Sequence, residues 1–366
     1  MNRCRQESPT ITQVAKTAGV SLGTVSRVMN GEKSVNADLR LNVLKAARKI
    51  GFVPRTQARR LGVVVGRRNP VLPVGYTHTM TALINEFAYQ RGMAVELFDV
   101  ANLENACECG VMAVIGIVFD DAMLSLKGIP NLPVISINHP MAYEGIHSIY
   151  TDQQDQGIAA TQRLLESGHR KIAFLGGLRG EWGVEQRLAG YRATMAAFNV
   201  ECNPAWVRFS DDGPVYDIVK RWIGCGVTAI LNFSEDVVAE TLHVLSNVLQ
   251  KRIGVDISTI SIEDVPLYQY FTPPQTVIRQ PLRELARLAV ENAIALADSH
   301  SGTTAKGQVV DLCLRGELVE RDSVGKPPDS LTEENPPMEV FNPIHNAFPS
   351  RVKTSPNNGR PVKHSK

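Results

Sequence analysis

The chain has 366 residues, 21% of them charged and 43% hydrophobic, which is ordinary for a folded soluble protein and long enough for two or three domains. No apolar run approaches the roughly 18 residues that cross a bilayer, and the opening MNRCRQESPT has no apolar stretch of the kind a secretory signal carries, so no membrane partner and a cytoplasmic location are expected. The net charge of +2 hides an asymmetry: residues 1–60 hold twelve Lys and Arg against three Asp and Glu, a balance of +9, which leaves −7 for the rest and predicts a polyanionic partner at one end only.

The first 60 residues read as three short helices. Thr10 is placed to cap the first, with Gln13 three residues on completing a capping box. Ile11, Val14, Ala15 and Ala18 then form one apolar stripe, and Gly19 stops the helix where a positive φ is cheap. Val20 fills the turn. Ser21 caps a second helix over residues 22–30 with Val25, Val28 and Met29 inward. Asn36 caps a third with Leu39, Val43, Ala46, Ala47 and Ile50 inward; Gly51 ends it and Pro54 prevents its resumption. Two helices about a tight Gly-containing turn make a helix-turn-helix, whose second helix enters the major groove of DNA and meets base edges with its first residues. Here those are Leu22, Gly23 and Thr24, with Arg27 one turn later. Leu22 suits a thymine methyl, and Arg27 suits guanine or phosphate.

From about residue 61 the pattern changes to α/β. Strand-like runs at 63–65, 95–98, 112–119, 134–137, 172–175, 228–233, 259–262 and 309–314 alternate with helix-like stretches at 79–91, 155–167, 185–198, 215–223, 236–250 and 282–298. Such alternation gives parallel sheets covered on both faces, and this length exceeds one typical sheet, so two lobes are expected. No internal sequence repeat is evident. Beyond Val324 the chain is rich in Pro, Ser, Asn and charge, and residues 325–366 are expected to be a disordered tail. The six cysteines are scattered; only Cys107 and Cys109 are close, too few for a zinc site, and free thiols are expected. The glycines of GGLRGEWG follow a strand but match neither G-x-G-x-x-G nor a P-loop. No catalytic triad or paired-His motif is apparent. No cofactor, metal or enzymatic activity is therefore expected.

The segment TITQVAKTAGVSLGTVSRVMNG, with RLNVLKAARKIGFVPRTQARRL after it, closely resembles the head of the lactose-repressor (LacI/GalR) family. The body carries further motifs in that family's order: ESGHRKIAFLGG at 166–177, RLAGYRATM at 187–195, SEDVVAETL at 234–242, STISIEDVP at 258–266, TPPQTVIRQP at 272–281 and ELVERDSV at 317–324. The resemblance spans roughly residues 10–324, and several motifs in register make it specific. It implies a transcription regulator, expected to act as a repressor, that binds a near-palindromic operator in double-stranded DNA as a homodimer. It also implies a periplasmic-binding-protein-like core with an effector, expected to be a carbohydrate, held between two lobes.

On this reading residues 1–54 are the DNA-binding head and 55–61 a hinge helix. The core covers 62–324, with an amino-terminal lobe of about 62–153 plus 279–306 and a carboxy-terminal lobe of about 154–278 plus 307–324. Candidate DNA contacts in the head are Thr10, Ser21, Leu22, Gly23, Thr24, Arg27, Asn30 and Asn36. In the hinge they are Arg55, Ala58 and Leu61, the last being the leucine that the family inserts into the minor groove at a kinked base step. The competing role for Leu61 is the first buried residue of the core's opening strand, because LGVVVG follows with no linker. Arg55 also stands where the family has asparagine.

Effector residues carried over by position are Arg187, whose planar fork suits a sugar hydroxyl pair or a carboxylate, with Glu263, Asn138, Asp236 and Phe209. Against these stand a surface ion pair for Arg187, a turn role for Asn138, helix capping for Asp236 and core packing for Phe209. Glu263 replaces the family's usual aspartate, and residues 66–110 match poorly. Three rival readings remain open: a transport solute-binding protein, an α/β enzyme with a DNA-binding head, and a regulator that has lost its ligand.

Overall fold

The computed structural model describes residues 9–29, 35–52, 59–66, 75–103, 110–119, 121–299 and 309–328. Three helices form the head: α1 (Ile11–Ala18), α2 (Leu22–Met29) and α3 (Ala37–Lys49). Their ends are chemically marked. Thr10 and Gln13 make the reciprocal capping box, and Gly19 takes φ 66° as the left-handed stop of α1. Ser21 Oγ accepts from the Thr24 amide at 3.1 Å, and Asn36 Oδ1 accepts from the Asp38 amide at 2.8 Å. Val14, Val25, Val28, Met29, Val43 and Ala46 close a small core of their own. Leu39 does not join it; it faces outward, and half-buried Leu44 packs there instead.

The body holds two six-stranded sheets. The first runs in the order β11-β5-β4-β3-β1-β2, with β1 (Arg60–Val65), β2 (Ala94–Asp99), β3 (Ala113–Ile117), β4 (Val134–Ile137), β5 (His147–Thr151) and β11 (Asp311–Leu314). The second runs β12-β10-β9-β8-β6-β7, with β6 (Ile172–Gly176), β7 (Val207–Phe209), β8 (Ala229–Phe233), β9 (Ser258–Ile262), β10 (Thr276–Arg279) and β12 (Glu317–Val319). Both sheets wind in the same sense, a structural repeat that the sequence does not display. All described pairings are parallel except β10 with β12. Strands β5, β7, β10 and β12 are three to five residues long and carry no clear apolar run, so the sequence does not announce them.

Helices α4 (Tyr76–Gln90) and α9 (Leu282–Ser299) cover one face of the first sheet around Met80, Ile84, Ile115, Ile135 and Leu285. Helices α5 (Gln153–Glu166) and α6 (Trp182–Ala197) cover one face of the second; α7 (Val215–Gly224) and α8 (Glu235–His243) cover the other. A Cβ on Gly157 of α5 would stand 2.2 Å from the Arg187 carbonyl, and one on Gly190 of α6 would stand 2.3 Å from the Gln154 carbonyl. Only glycine at both places lets these helices touch backbone to backbone, which draws Arg187 in against α5.

Three sequence expectations need correction. Leu61 is not a hinge residue: it lies in β1, fully buried, opposite Val95 of β2 and Ala113 of β3. Of the rest of the expected hinge, Arg60 opens β1, Arg59 is described just before it, and Arg55 to Ala58 lie outside the described residues, as does Asn30. Residues 309–314 belong to the amino-terminal lobe, because β11 pairs in parallel with β5 (Asp311 with Ser148, Leu314 with Thr151). The third crossing between lobes is therefore at 315–316, not 306–307. Finally, residues 325–328, expected to open the tail, begin docked. The Gly325 amide donates to Ser258 Oγ at 3.0 Å, and its carbonyl lies 3.1 Å from His169 Nε2 of the second lobe. Residues 329–366 lie outside the described part.

Candidate functional site

The head presents the start of α2 to solvent. Ser21, Leu22, Gly23 and Arg27 are exposed and Thr24 is half-buried, while Val25, Val28 and Met29 hold the opposite face in the core. Leu22 is 50% exposed at the first position of α2, so its side chain is accessible beside Gly23 and Arg27. Arg27 is exposed, and its Nε donates to the Gly23 carbonyl at 3.3 Å. Ser21 Oγ and Thr24 Oγ1 are hydrogen-bonded to each other at 2.8 Å, fixing both hydroxyls at the helix start. Thr10 and Asn36 are exposed caps of α1 and α3. Together they turn helix N-termini to solvent, where backbone amides suit phosphate.

In the body, the carried-over effector residues follow the carboxyl ends of strands, where doubly wound sheets place their ligands. Asn138 follows β4 and Glu263 follows β9. Both are buried, and both are held in the left-handed region, at φ 76° and φ 63°. Asparagine tolerates that conformation; glutamate there is strained, as residues at functional sites often are. Arg187, half-buried on α6, donates from Nη1 to Gln153 Oε1. Gln153 Nε2 lies 2.7 Å from Thr151 Oγ1, 3.2 Å from Gln280 Oε1 and 3.4 Å from Asn138 Oδ1. Thr151 Oγ1 donates to Gln280 Oε1, and Gln280 Nε2 donates to Glu263 Oε1. One hydrogen-bonded chain thus joins Arg187, Gln153, Asn138, Thr151, Gln280 and Glu263. It runs through two of the three crossings between the lobes, the turn from β5 into α5 and the turn from β10 into α9.

Burial is the dominant cause that pushes the Glu263 carboxyl up to about 8; the Gln280 hydrogen bond and Arg187 oppose it, and nearby Glu235 and Asp264 reinforce it. At neutral pH the group is mostly protonated, and it supplies a hydroxyl donor as well as an acceptor to the cleft. Between the lobes, the ring of Trp182 of α6 is T-shaped to those of His139 and Tyr150 of the first lobe, with ring centroids 5.9 Å apart in each case.

Two carried-over residues are placed otherwise. Phe209 ends β7 almost fully buried, packed on Phe174 with the Arg179 guanidinium 4.0 Å above its ring, so it serves the second lobe's core and offers no open stacking face. Asp236 is exposed in the first turn of α8, where a carboxylate favours the helix dipole. Sequence reasoning missed Gln153, Thr151, Gln280 and Glu235. Neutral amides and hydroxyls carry no periodic signal, although Gln280 and Glu235 stand inside the motifs TPPQTVIRQP and SEDVVAETL.

Residues 10–55 match the family model for bacterial regulatory proteins of the lacI family, and residues 161–324 match that of the periplasmic binding protein-like domain. The chain is similar to the HTH-type transcriptional regulator CelR of Thermobifida fusca, 28% identical over 348 residues, covering 87% of this chain and 99% of that protein. The structure of the transcriptional regulator CelR–cellobiose complex aligns with a TM-score of 0.64 at 25% identity, covering 86% of this chain and 99% of that one. The lac repressor dimer bound to operator and the anti-inducer ONPF shares the fold, with a TM-score of 0.62 at 23% identity over 87% of this chain and 100% of that one.

Proposed function

The chain belongs to the lacI family of bacterial regulatory proteins, and from that premise we propose that it represses transcription by binding an operator through α2, under control of a carbohydrate held between its two sheets. The observation that carries the reading is the hydrogen-bonded chain from Arg187 to Glu263 at the crossings between lobes. A polyhydroxylated ligand that bonded to Arg187, Asn138 or Glu263 would exchange partners with Gln153 and Gln280, side chains carried by the crossings themselves. Ligand binding is thereby tied to the angle between the lobes. An effector shifts that equilibrium only by its differential affinity for the two arrangements.

A homodimer on a near-palindromic site fits a head that reads one half-site, as the two-fold symmetry of such regulators requires. Phosphate contacts from the basic head supply salt-dependent affinity, and the exposed start of α2 supplies base discrimination.

Selection of binding sites from random duplexes tests the first half: one enriched motif with dyad symmetry is expected, and recovery of no motif sinks it. On the selected site, Arg27→Ala is expected to lower the preference over random duplex by about 1–3 kcal/mol. An equal loss on both duplexes would make Arg27 a phosphate contact instead. Titration of a panel of neutral mono- and disaccharides against the protein–operator complex tests the second half. With a sugar that changes operator affinity, Arg187→Ala is expected to remove the change and to keep the unliganded affinity within about 0.5 kcal/mol, the range of a substitution remote from the DNA surface. A retained sugar response would take Arg187 out of the site.

A further inference from the structure

One contact across the cleft lies outside the chain of hydrogen bonds described above. Helix α4 of the first lobe opens at Tyr76, and its cap, Gly75, has no side chain to satisfy the first-turn amides. The Tyr76 amide is instead taken up from the opposite lobe, donating to Glu235 Oε2 at 2.6 Å. Glu235 is the first residue of α8, so the same carboxylate also stands at the N-terminus of its own helix. Two helix N-termini, each with partial positive charge, meet on one carboxyl side chain.

The fit on the α4 side is tight. A Cβ on Gly75 would stand 2.3 Å from Glu235 Oε1 and would push that carboxylate aside, and φ at Gly75 is 119°, a backbone conformation that favours glycine. Next in α4 is Thr77, 8% exposed, whose hydroxyl has no hydrogen-bond partner among the described residues. The nearby carboxyl of Glu263 holds its proton near neutral pH and adds no second full negative charge beside Glu235. On the other side of the cleft, Trp182 already rests against His139 and Tyr150. The lobes therefore meet through this chain's own side chains.

We propose that Glu235 is a built-in latch: its carboxylate occupies the place an anionic ligand group would take at the N-terminus of α4, holds the lobes together with no ligand bound, and reserves that end of the cleft against effectors that present a negative charge there. The restriction on effectors rests on the effector-cleft reading; the latch itself does not.

The test uses the full-length protein without DNA or sugar. Hydrogen exchange resolved to Tyr76 and Thr77 is followed in the wild type, Glu235→Ala and Glu235→Gln, with the amides of Ile172–Gly176 in β6 as an internal control of folding. Exchange at Tyr76 is expected to quicken about tenfold or more in Glu235→Ala and less in Glu235→Gln, which keeps an acceptor, with β6 unchanged. Equal exchange at Tyr76 in the wild type and Glu235→Ala, with β6 still protected, overturns the latch. If β6 loses protection in the alanine variant, Glu235→Gln decides alone: faster exchange at Tyr76 supports the latch and unchanged exchange overturns it.

Inorganic phosphate then probes the restriction. Saturable slowing at Tyr76 in Glu235→Ala and none in the wild type supports it; the same response in both, or in neither, overturns it. Failure of every neutral sugar to alter operator binding would remove the effector reading and leave the exchange result standing.

Discussion

Replacement of Leu61 by alanine is expected to destabilise the body by about 2–5 kcal/mol, the range for emptying a leucine site in a packed core. Leu61 is fully buried in β1, an interior strand of the first sheet, in the cluster that includes Met80, Ile84, Ile115 and Leu285. Removal of its branched end leaves a void lined by residues that are themselves tied into two neighbouring strands, so little relaxation is available to fill it. Denaturant titration of the wild type and the alanine variant reads the effect directly. In the same pair, the bend angle of the operator complex, measured with fluorescently end-labelled duplex at saturating protein, is expected to be unchanged. The opposite pattern, an altered bend with stability within about 0.5 kcal/mol of the wild type, would return Leu61 to the DNA and refute its assignment to the core.

The second large effect concerns pH. The Glu263 carboxyl has its folded-state value raised, from an ordinary 4.5 to about 8, with burial as the main cause. A carboxyl raised on folding retains its proton in the native state over a range where the unfolded chain has lost it. The unfolded state then binds fewer protons, and stability falls as pH rises. The loss begins near the ordinary value of 4.5 and is complete once the pH has passed about 8. Glu263→Gln cannot ionise, and its amide oxygen can still accept from Gln280. The variant is expected to match the wild type near pH 4 and to exceed it by a few kcal/mol at pH 9, with the gap opening between. Parallel stability curves for the two proteins across that range would show that Glu263 does not titrate with this shift.

The two effects mark where the sequence was legible and where it was not. The starts of all three head helices and the ends of the first and third were readable, because caps and stops act within four residues: the Thr10–Gln13 box, the Ser21 hydroxyl on the Thr24 amide, the Asn36 side chain on the Asp38 amide, Gly19 and Gly51 at positive φ. Most of the strand and helix order in the body was readable for a similar reason, since apolar periodicity is a local record of burial. Arg187, Asn138 and Glu263 were singled out from separate motifs, and they lie in one hydrogen-bonded chain. The links between them were not readable. Thr151 and Gln280 are 129 residues apart, and Tyr76 and Glu235 are 159 apart; an amide or a carboxylate gives no sign in its own neighbourhood of a partner at that range.

Alone, the sequence determined the three-helix basic head, the alternation that makes parallel sheets, and the identity of the polar side chains available to a cleft. The tertiary structure alone decided that Leu61 points into a core, that β11 joins the first sheet, that Phe209 is packed away, and that the Glu263 carboxyl is deprived of water. The division has one physical cause. Backbone capping and apolar periodicity are settled by atoms a turn or two away, whereas burial, and the proton affinity that burial shifts, exists only after segments remote in the chain have closed around a residue.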